Sequence, residues 1–173
     1  MRRYAERLSI LHEIDRAIIA AETPLAIAEP AIARLRELLQ VPRAVVNLFD
    51  FASNDVEWLV AAGRQRVHRG PGVRFPMHFM GDIEGLRRGE MQVVETAKLP
   101  RDHDVDALLK SGVHHYMVVP MIADGELIGG LSFGGEPNQF PDEQIVIARE
   151  VAAQLAIGIA HARLSERVQC HAR

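Results

Sequence analysis

Apolar residues Leu8, Leu11, Ile14, Ile18 and Ala21 recur every three or four positions, which predicts an amphipathic helix over about residues 3–21. Thr23 and Pro24 restart the pattern as a cap and a first helical position. Ile27, Ala31, Leu35, Leu38 and Leu39 then mark the buried face of a second helix that runs to about Gln40, before Pro42. Ala44 to Phe49 predicts a short apolar strand interrupted by Asn47, and Val56 to Ala62, carrying Trp58 and Val60, a second strand closed by Gly63. After the turn cluster Gly70-Pro71-Gly72, Val73 to Phe75 reads as a minimal strand, Phe79 to Arg88 as a short helix and Met91 to Glu95 as a strand. Thr96 to Asp104 reads as loop, and Val105 to Lys110 as a brief helical segment.

The stretch from Gly112 to Gly135 predicts two central strands joined by a hairpin. A three-residue loop of Ala123, Asp124 and Gly125, with Gly125 at positive φ, keeps residues of equal parity on one face. Val113, Met117, Val119, Met121, Leu127, Leu131 and Phe133 then form an apolar face. His114, Tyr116, Val118, Pro120 and Ile122 lie opposite Ile128, Gly130, Ser132 and Gly134 on a mixed face. A two-residue loop would slip the register and mix the sets. Pro120 lacks a donor for the ladder and suggests a bulge there. Asn47, alternating with Val46 and Leu48, joins the mixed face if its strand lies beside the hairpin.

Phe140-Pro141-Asp142-Glu143 starts a long final helix, over about 141–168, with two acids complementing the helix dipole. Ile145, Ala148, Ala152, Leu155, Ile159 and Ala162 make one stripe, expected on the sheet. Ile147, Val151 and Gly158 make a second, expected against a partner chain. The helix nears Arg173 without a C-cap, which implies an output segment beyond it.

Composition narrows the function classes. The 173 residues fit one domain, 48% hydrophobic and 25% charged, with net charge −3. Scattered basic residues and a slight acidic excess argue against direct nucleic-acid binding and against attraction to an anionic membrane. Cys170 is the only cysteine, so no intramolecular disulfide is expected, and a reducing cytoplasm suits the chain. Nothing after Met1-Arg2-Arg3 resembles a signal peptide, and no apolar run is read as a membrane span.

LHEIDRAIIAA in the first helix, AVVNLFD in the first strand, GVHHYMVVPMIADGELIGGLSFGG, and FPDEQIVIAREVAAQLAIGIAHARL in the last helix together resemble a GAF domain, a PAS-like sensory module of bacterial signalling proteins. The resemblance covers about Leu8 to Val168. It implies an α+β fold: a central antiparallel sheet of about six strands, N- and C-terminal helices on one face and a ligand chamber on the other. It also implies chemistry that this chain only partly carries. Bilin-binding members tether the chromophore through a cysteine, whereas Cys170 lies in the terminal helix, so no covalent bilin is expected. Free methionine sulfoxide reductases of this family need chamber cysteines, which are absent. Asn138, Phe140, Asp142 and Glu143 echo a cyclic-nucleotide pattern, but Gln139 replaces its lysine and the spacing is compressed.

Candidate ligand-binding residues are Asn47, Trp58, Phe75, His78, Phe79, His114, Tyr116 and Ser132. Asn47, Tyr116 and Ser132 place polar tips on the face that glycines leave roomy, as a small-molecule pocket requires. His114 and His115 point to opposite faces of a strand and so do not chelate one ion, and no metal site or catalytic residue is assigned. His103 is expected in solvated loop. The arginines from Arg64 to Arg74 are a possible anion site, against the plainer reading of a solvated surface.

The expected function is a non-enzymatic, cytoplasmic sensing module. It binds an unknown small molecule, forms a homodimer through its terminal helices, and serves an output domain such as a histidine kinase. Two alternatives stand beside it: a haem or metal redox sensor using His78 or His114, and a structural dimerisation module whose chamber is filled by Trp58, Phe75, Phe79 and Tyr116.

Overall fold

Thr23 takes an extended backbone and its hydroxyl accepts the Ala26 amide at 3.2 Å, so the helix starts at Pro24, where no amide hydrogen is needed. The computed structural model describes residues 5, 8–9, 11–16, 23–63, 72–135 and 139–172, with the last seven of these as backbone alone. Residues 11–16 are helical (α1), and Ile14 is buried in the core. Leu8 is half exposed, and Ile18 and Ala21 of the expected stripe lie outside the described residues. The second helix, α2, spans Pro24–Leu39 and ends on Gln40, whose left-handed backbone (φ 54°) returns its amide to the Arg36 and Glu37 carbonyls.

Six strands follow: β1 (Arg43–Asp50), β2 (Asp55–Gly63), β3 (Arg74–Pro76), β4 (Gln92–Glu95), β5 (His115–Ala123) and β6 (Glu126–Gly134). They form one antiparallel sheet in the order β3-β2-β1-β6-β5-β4. Between β3 and β4 the expected helix over Phe79 to Arg88 is divided. Gly81, at φ 84°, stops a 3-10 turn over Met77–Met80, and the Asp82 carboxylate then caps α3 (Ile83–Arg87) through the Glu84 amide. A second correction concerns Thr96 to Asp104. Asp102 caps α4 (His103–Lys110) by accepting the Val105 amide at 2.9 Å, so His103 opens a helix, although it is exposed as expected.

The hairpin shows why its faces were legible while its loop was not. Asp124 and Gly125 both have positive φ (52° and 77°), and Ala123 pairs with Glu126. This is the two-residue type I′ turn favoured by Asp-Gly, not the three-residue loop. The slip it introduces is removed at once. Ile122 pairs with Leu127 but Met121 with Gly129, so Ile128 is an extra residue and Val119 still faces Leu131. The bulge exchanges two side chains: Leu127 packs on the side of Tyr116, and Ile128 on the side of the long helices. Val113, expected with the helices, also packs on the Tyr116 side. The irregularity falls just beyond Pro120, which itself pairs with Gly130.

Two cores lie on opposite faces of the sheet. Val46, Leu48, Met117, Val119, Met121, Leu131 and Phe133 pack with Ile27, Ile32 and Leu35 of α2 and with α5 (Asp142–Ala172). Phe49, Val56, Tyr116, Val118 and Val94 pack with Met77, Phe79, Met80, Leu86 and Val105 from the crossing segments. On α5 the two expected stripes do not divide between sheet and partner: Ile147, Val151 and Gly158 are buried together with Ala148, Ala152, Leu155 and Ile159. The helix packs on the sheet with one side and against α2, which lies on the same sheet face, with another, so more than one stripe is covered. Residues 142–165 are long and apolar enough, by length and composition alone, to cross a membrane, contrary to the sequence reading. Half of an apolar stretch of 18 residues within that segment is buried in the fold, which marks a core helix.

Candidate functional site

β1 positions the site. It is buried from Ala44 to Phe49 because the sheet covers both its edges and both cores cover its faces. Ala44, Val46 and Leu48 face the long helices, so by alternation Arg43, Val45 and Asn47 face the other side. Asn47 is 1% exposed, and its amide nitrogen donates to the Gly130 carbonyl at 3.2 Å and to the Ser132 hydroxyl at 3.0 Å. A carbonyl only accepts, so the amide orientation is fixed by the first bond.

Trp58 reaches the same face through a second bulge. Val46 pairs with Val60 but Asn47 with Trp58, which makes Leu59 the extra residue on β2. Val56 therefore belongs to the Tyr116 core while Val60 belongs to the helix core. The Trp58 main chain is fixed on the β3 side, donating to Val73 and accepting from Gly72. Its side chain is 8% exposed, and its indole nitrogen is buried with no hydrogen-bond partner. The Arg43 guanidinium carbon lies 5.4 Å from the centre of the indole.

The glycines separate a filled region from an open one. A Cβ on Gly130 would meet Val118 at 2.8 Å and Phe49 at 3.3 Å, so apolar side chains already occupy that ground. A Cβ on Gly134 would meet nothing within 4 Å. Gly134 pairs with Tyr116 on β5 and follows Phe133, the partner of Ala44, which puts it beside Arg43 on β1. The Tyr116 hydroxyl donates to the Phe79 carbonyl, tying the sheet to the 3-10 turn above it, and burial raises the phenol pKa well above its ordinary value.

Of the expected site residues, Asn47, Trp58, Tyr116 and Ser132 thus share one face. Phe75 and Phe79 pack above it in edge contact, with ring centres 5.6 Å apart. His78 and His114 are exposed: His78 stacks on Phe79 at 4.9 Å, and His114 precedes β5. A haem or metal reading based on either histidine therefore starts from the surface, not from the enclosed face. Among the described residues no three His, Cys, Asp or Glu side chains are grouped to hold a metal ion. Arg64, Arg66, His68, Arg69 and Asn138 lie outside the described residues. Arg74 is held by Asp50 (2.6 Å) and Asp55 across the β1–β2 turn, a structural tie. Sequence reasoning missed Arg43. Its parity with Val45 and Asn47 was the available signal.

The GAF domain family model matches residues 23–159. No curated protein sequence matches the chain. Among solved structures, the phycoerythrobilin-bound GAF domain of a cyanobacterial phytochrome is similar with a TM-score of 0.73 and 21% identity, over 92% of this chain and 97% of that one. The GAF domain of a phosphoenolpyruvate-protein phosphotransferase from Coxiella burnetii gives 0.71 and 22%, over 94% and 98%. A free methionine-R-sulfoxide reductase from Neisseria meningitidis, in complex with its substrate, gives 0.68 and 20%, over 95% and 94%. These likenesses extend the shared fold across nearly the whole length, and the family match spans most of it: the chain belongs to the GAF domain family.

Proposed function

We propose that this chain is a regulatory, small-molecule-sensing module of a bacterial signalling protein, and that it catalyses no reaction itself. One observation carries the proposal: on the sheet face away from α2 and α5, Asn47 and Ser132 set bonded polar groups among apolar walls, the Trp58 indole N–H has no partner among the described residues, and a Cβ on Gly134 would meet nothing within 4 Å. Ligand sites combine mostly apolar walls with a few fixed polar groups. α5 carries Cys170 and packs on the opposite face, which supports non-covalent binding over a thiol-linked chromophore.

The output is expected through α5, to a domain such as a histidine kinase, from a dimer. Val146, Ile157 and Leu164 are 44%, 60% and 57% exposed. With exposed Ala153 they are spaced by seven, four and seven residues, an apolar stripe suited to a helix pair. A ligand that favours one arrangement of the covering segments shifts such a pair only by its differential affinity.

A thermal-shift screen with anionic, neutral and cationic metabolites tests the proposal. A ligand at one hundred times its Kd adds about 2.7 kcal/mol, a rise of roughly 5–10 °C for a domain this size. Gly134→Leu, which fills the open ground, is expected to abolish the rise. A screen without any such rise supports the second reading, a structural dimerisation module. The packing of Val118 and Phe49 over Gly130 and the bond from Tyr116 to Phe79 favour that alternative.

A further inference from the structure

Arg43 sits at the start of β1, half-buried, with its guanidinium against the Trp58 ring. Arg34 pairs with Glu13, Arg74 with Asp50 and Asp55, Arg87 with Glu84, Arg88 with Glu90 and Arg101 with Asp106, while Arg36 and Arg149 donate to the Pro42 and Gly89 carbonyls. Arg43 meets no carboxylate among the described residues. Burial draws its pKa below the ordinary arginine value, the direction expected of a cation that loses water without gaining a counter-ion, and it stays charged at neutral pH.

The second observation is independent of the first. The Trp58 indole N–H, 8% exposed with its ring, has no acceptor among the described residues, and a buried donor left unbonded is unfavourable. Among the described residues, then, a guanidinium without an anion lies against the ring of an indole whose N–H has no acceptor. The neighbouring position on β6, Gly134, has no side chain and nothing within 4 Å of where a Cβ would stand. Both groups only donate. What satisfies them together is an acceptor carrying negative charge.

We propose that Arg43 and Trp58 form an oxyanion subsite on the open part of this face, which takes the carboxylate or phosphate group of the sensed molecule. This deepens the small-molecule reading above and rests on it. The planar guanidinium suits a two-oxygen anion, with the indole N–H completing the set and Ser132 bordering the rest of the ligand.

Trp58 is the only tryptophan, so the single indole N–H resonance of ¹⁵N-labelled protein reports on the subsite alone. Inorganic phosphate and acetate are titrated separately at constant ionic strength. The expected result is a saturable shift of that resonance with at least one of them: phosphate alone assigns a phosphoryl ligand, acetate alone a carboxylate. In Arg43→Gln the apparent affinity falls about tenfold or more, while the thermal midpoint stays level or rises because an uncompensated cation is gone. If Arg43→Gln folds poorly, Arg43→Lys keeps the charge and stem without the fork, and a several-fold loss is expected. An indole resonance unmoved by both anions, or moved equally in the variants, overturns the subsite. A neutral metabolite that stabilises the protein while neither anion moves the indole ends this inference alone; no stabilisation by any compound ends both readings.

Discussion

The Asn47 amide nitrogen donates to the Ser132 hydroxyl at 3.0 Å while also holding the Gly130 carbonyl on the next strand. This ties β1 to β6 through a side chain where both strands are central. Asn47→Asp sets a carboxylate oxygen against that carbonyl in a site 1% exposed. A destabilisation of about 3 kcal/mol is expected at neutral pH. Burial raises the new carboxyl's folded-state pKa, so the penalty shrinks as pH falls through that raised value and the acid protonates. Urea unfolding at two pH values checks it; a variant within about 0.5 kcal/mol of the parent at pH 7 contradicts it.

Two glycines of β6 are expected to behave very differently. A Cβ on Gly129 would lie 2.2 Å from the Asn47 carbonyl oxygen, a backbone atom that moves only if the strands part. Gly129→Ala should cost about 3 kcal/mol, at the upper end of overpacking penalties. Gly134→Ala meets open space and should be neutral, or stabilising by about 0.5 kcal/mol. Denaturation midpoints of the two variants check the contrast, and equal losses would refute the open ground at Gly134.

Arg74 joins the β1–β2 turn to β3 through Asp50 and Asp55, and both carboxyls lie below their ordinary pKa of 3.8. For Asp50 the leading causes are hydrogen bonds from Ser53 and then Arg74, and for Asp55 hydrogen bonds from Arg74 and then Ser53. Depressed carboxyls contribute stability that is present above 3.8 and lost as pH falls through their lower folded-state values. The groups are exposed, so the effect is small and screened by salt. Melting curves from pH 5 to pH 2 should show Arg74→Ala losing less stability on acidification than the parent. Parallel curves would show that the tie carries no acid-linked stability.

The exposed stripe on α5 gives a prediction for assembly. Ile157 is 60% exposed in the middle of it, so Ile157→Glu should leave folding unchanged and convert a dimer to a monomer by light scattering. A parent that stays monomeric at high concentration removes the dimer. A variant that remains dimeric moves the interface elsewhere.

The extent to which this fold was legible follows from where periodicity is locally determined. The cap at Thr23, the helix start at Pro141, the helical spacing of α2 and the separation of Met117 and Leu131 from Tyr116 and Ser132 are all written in neighbouring residues. Bulges are not. Ile128 and Leu59 each add one residue to a strand, so Leu127 changes face and Val56 parts from Val60, although simple alternation groups them. The same limit hid Arg43, whose importance depends on Trp58 being turned toward it by the second bulge. The choice of dimer stripe on α5 failed for a related reason. Ile147 and Val151 look like surplus apolar surface until α2 is seen packed beside the helix on the same sheet face.

The direct test of a receptor face is Trp58 emission during titration with whichever metabolite raises the melting temperature. The account predicts a saturable change with the same midpoint concentration as the thermal shift, absent in Gly134→Leu. Stabilisation that leaves Trp58 emission unchanged, or that survives intact in Gly134→Leu, would place the ligand elsewhere and contradict it.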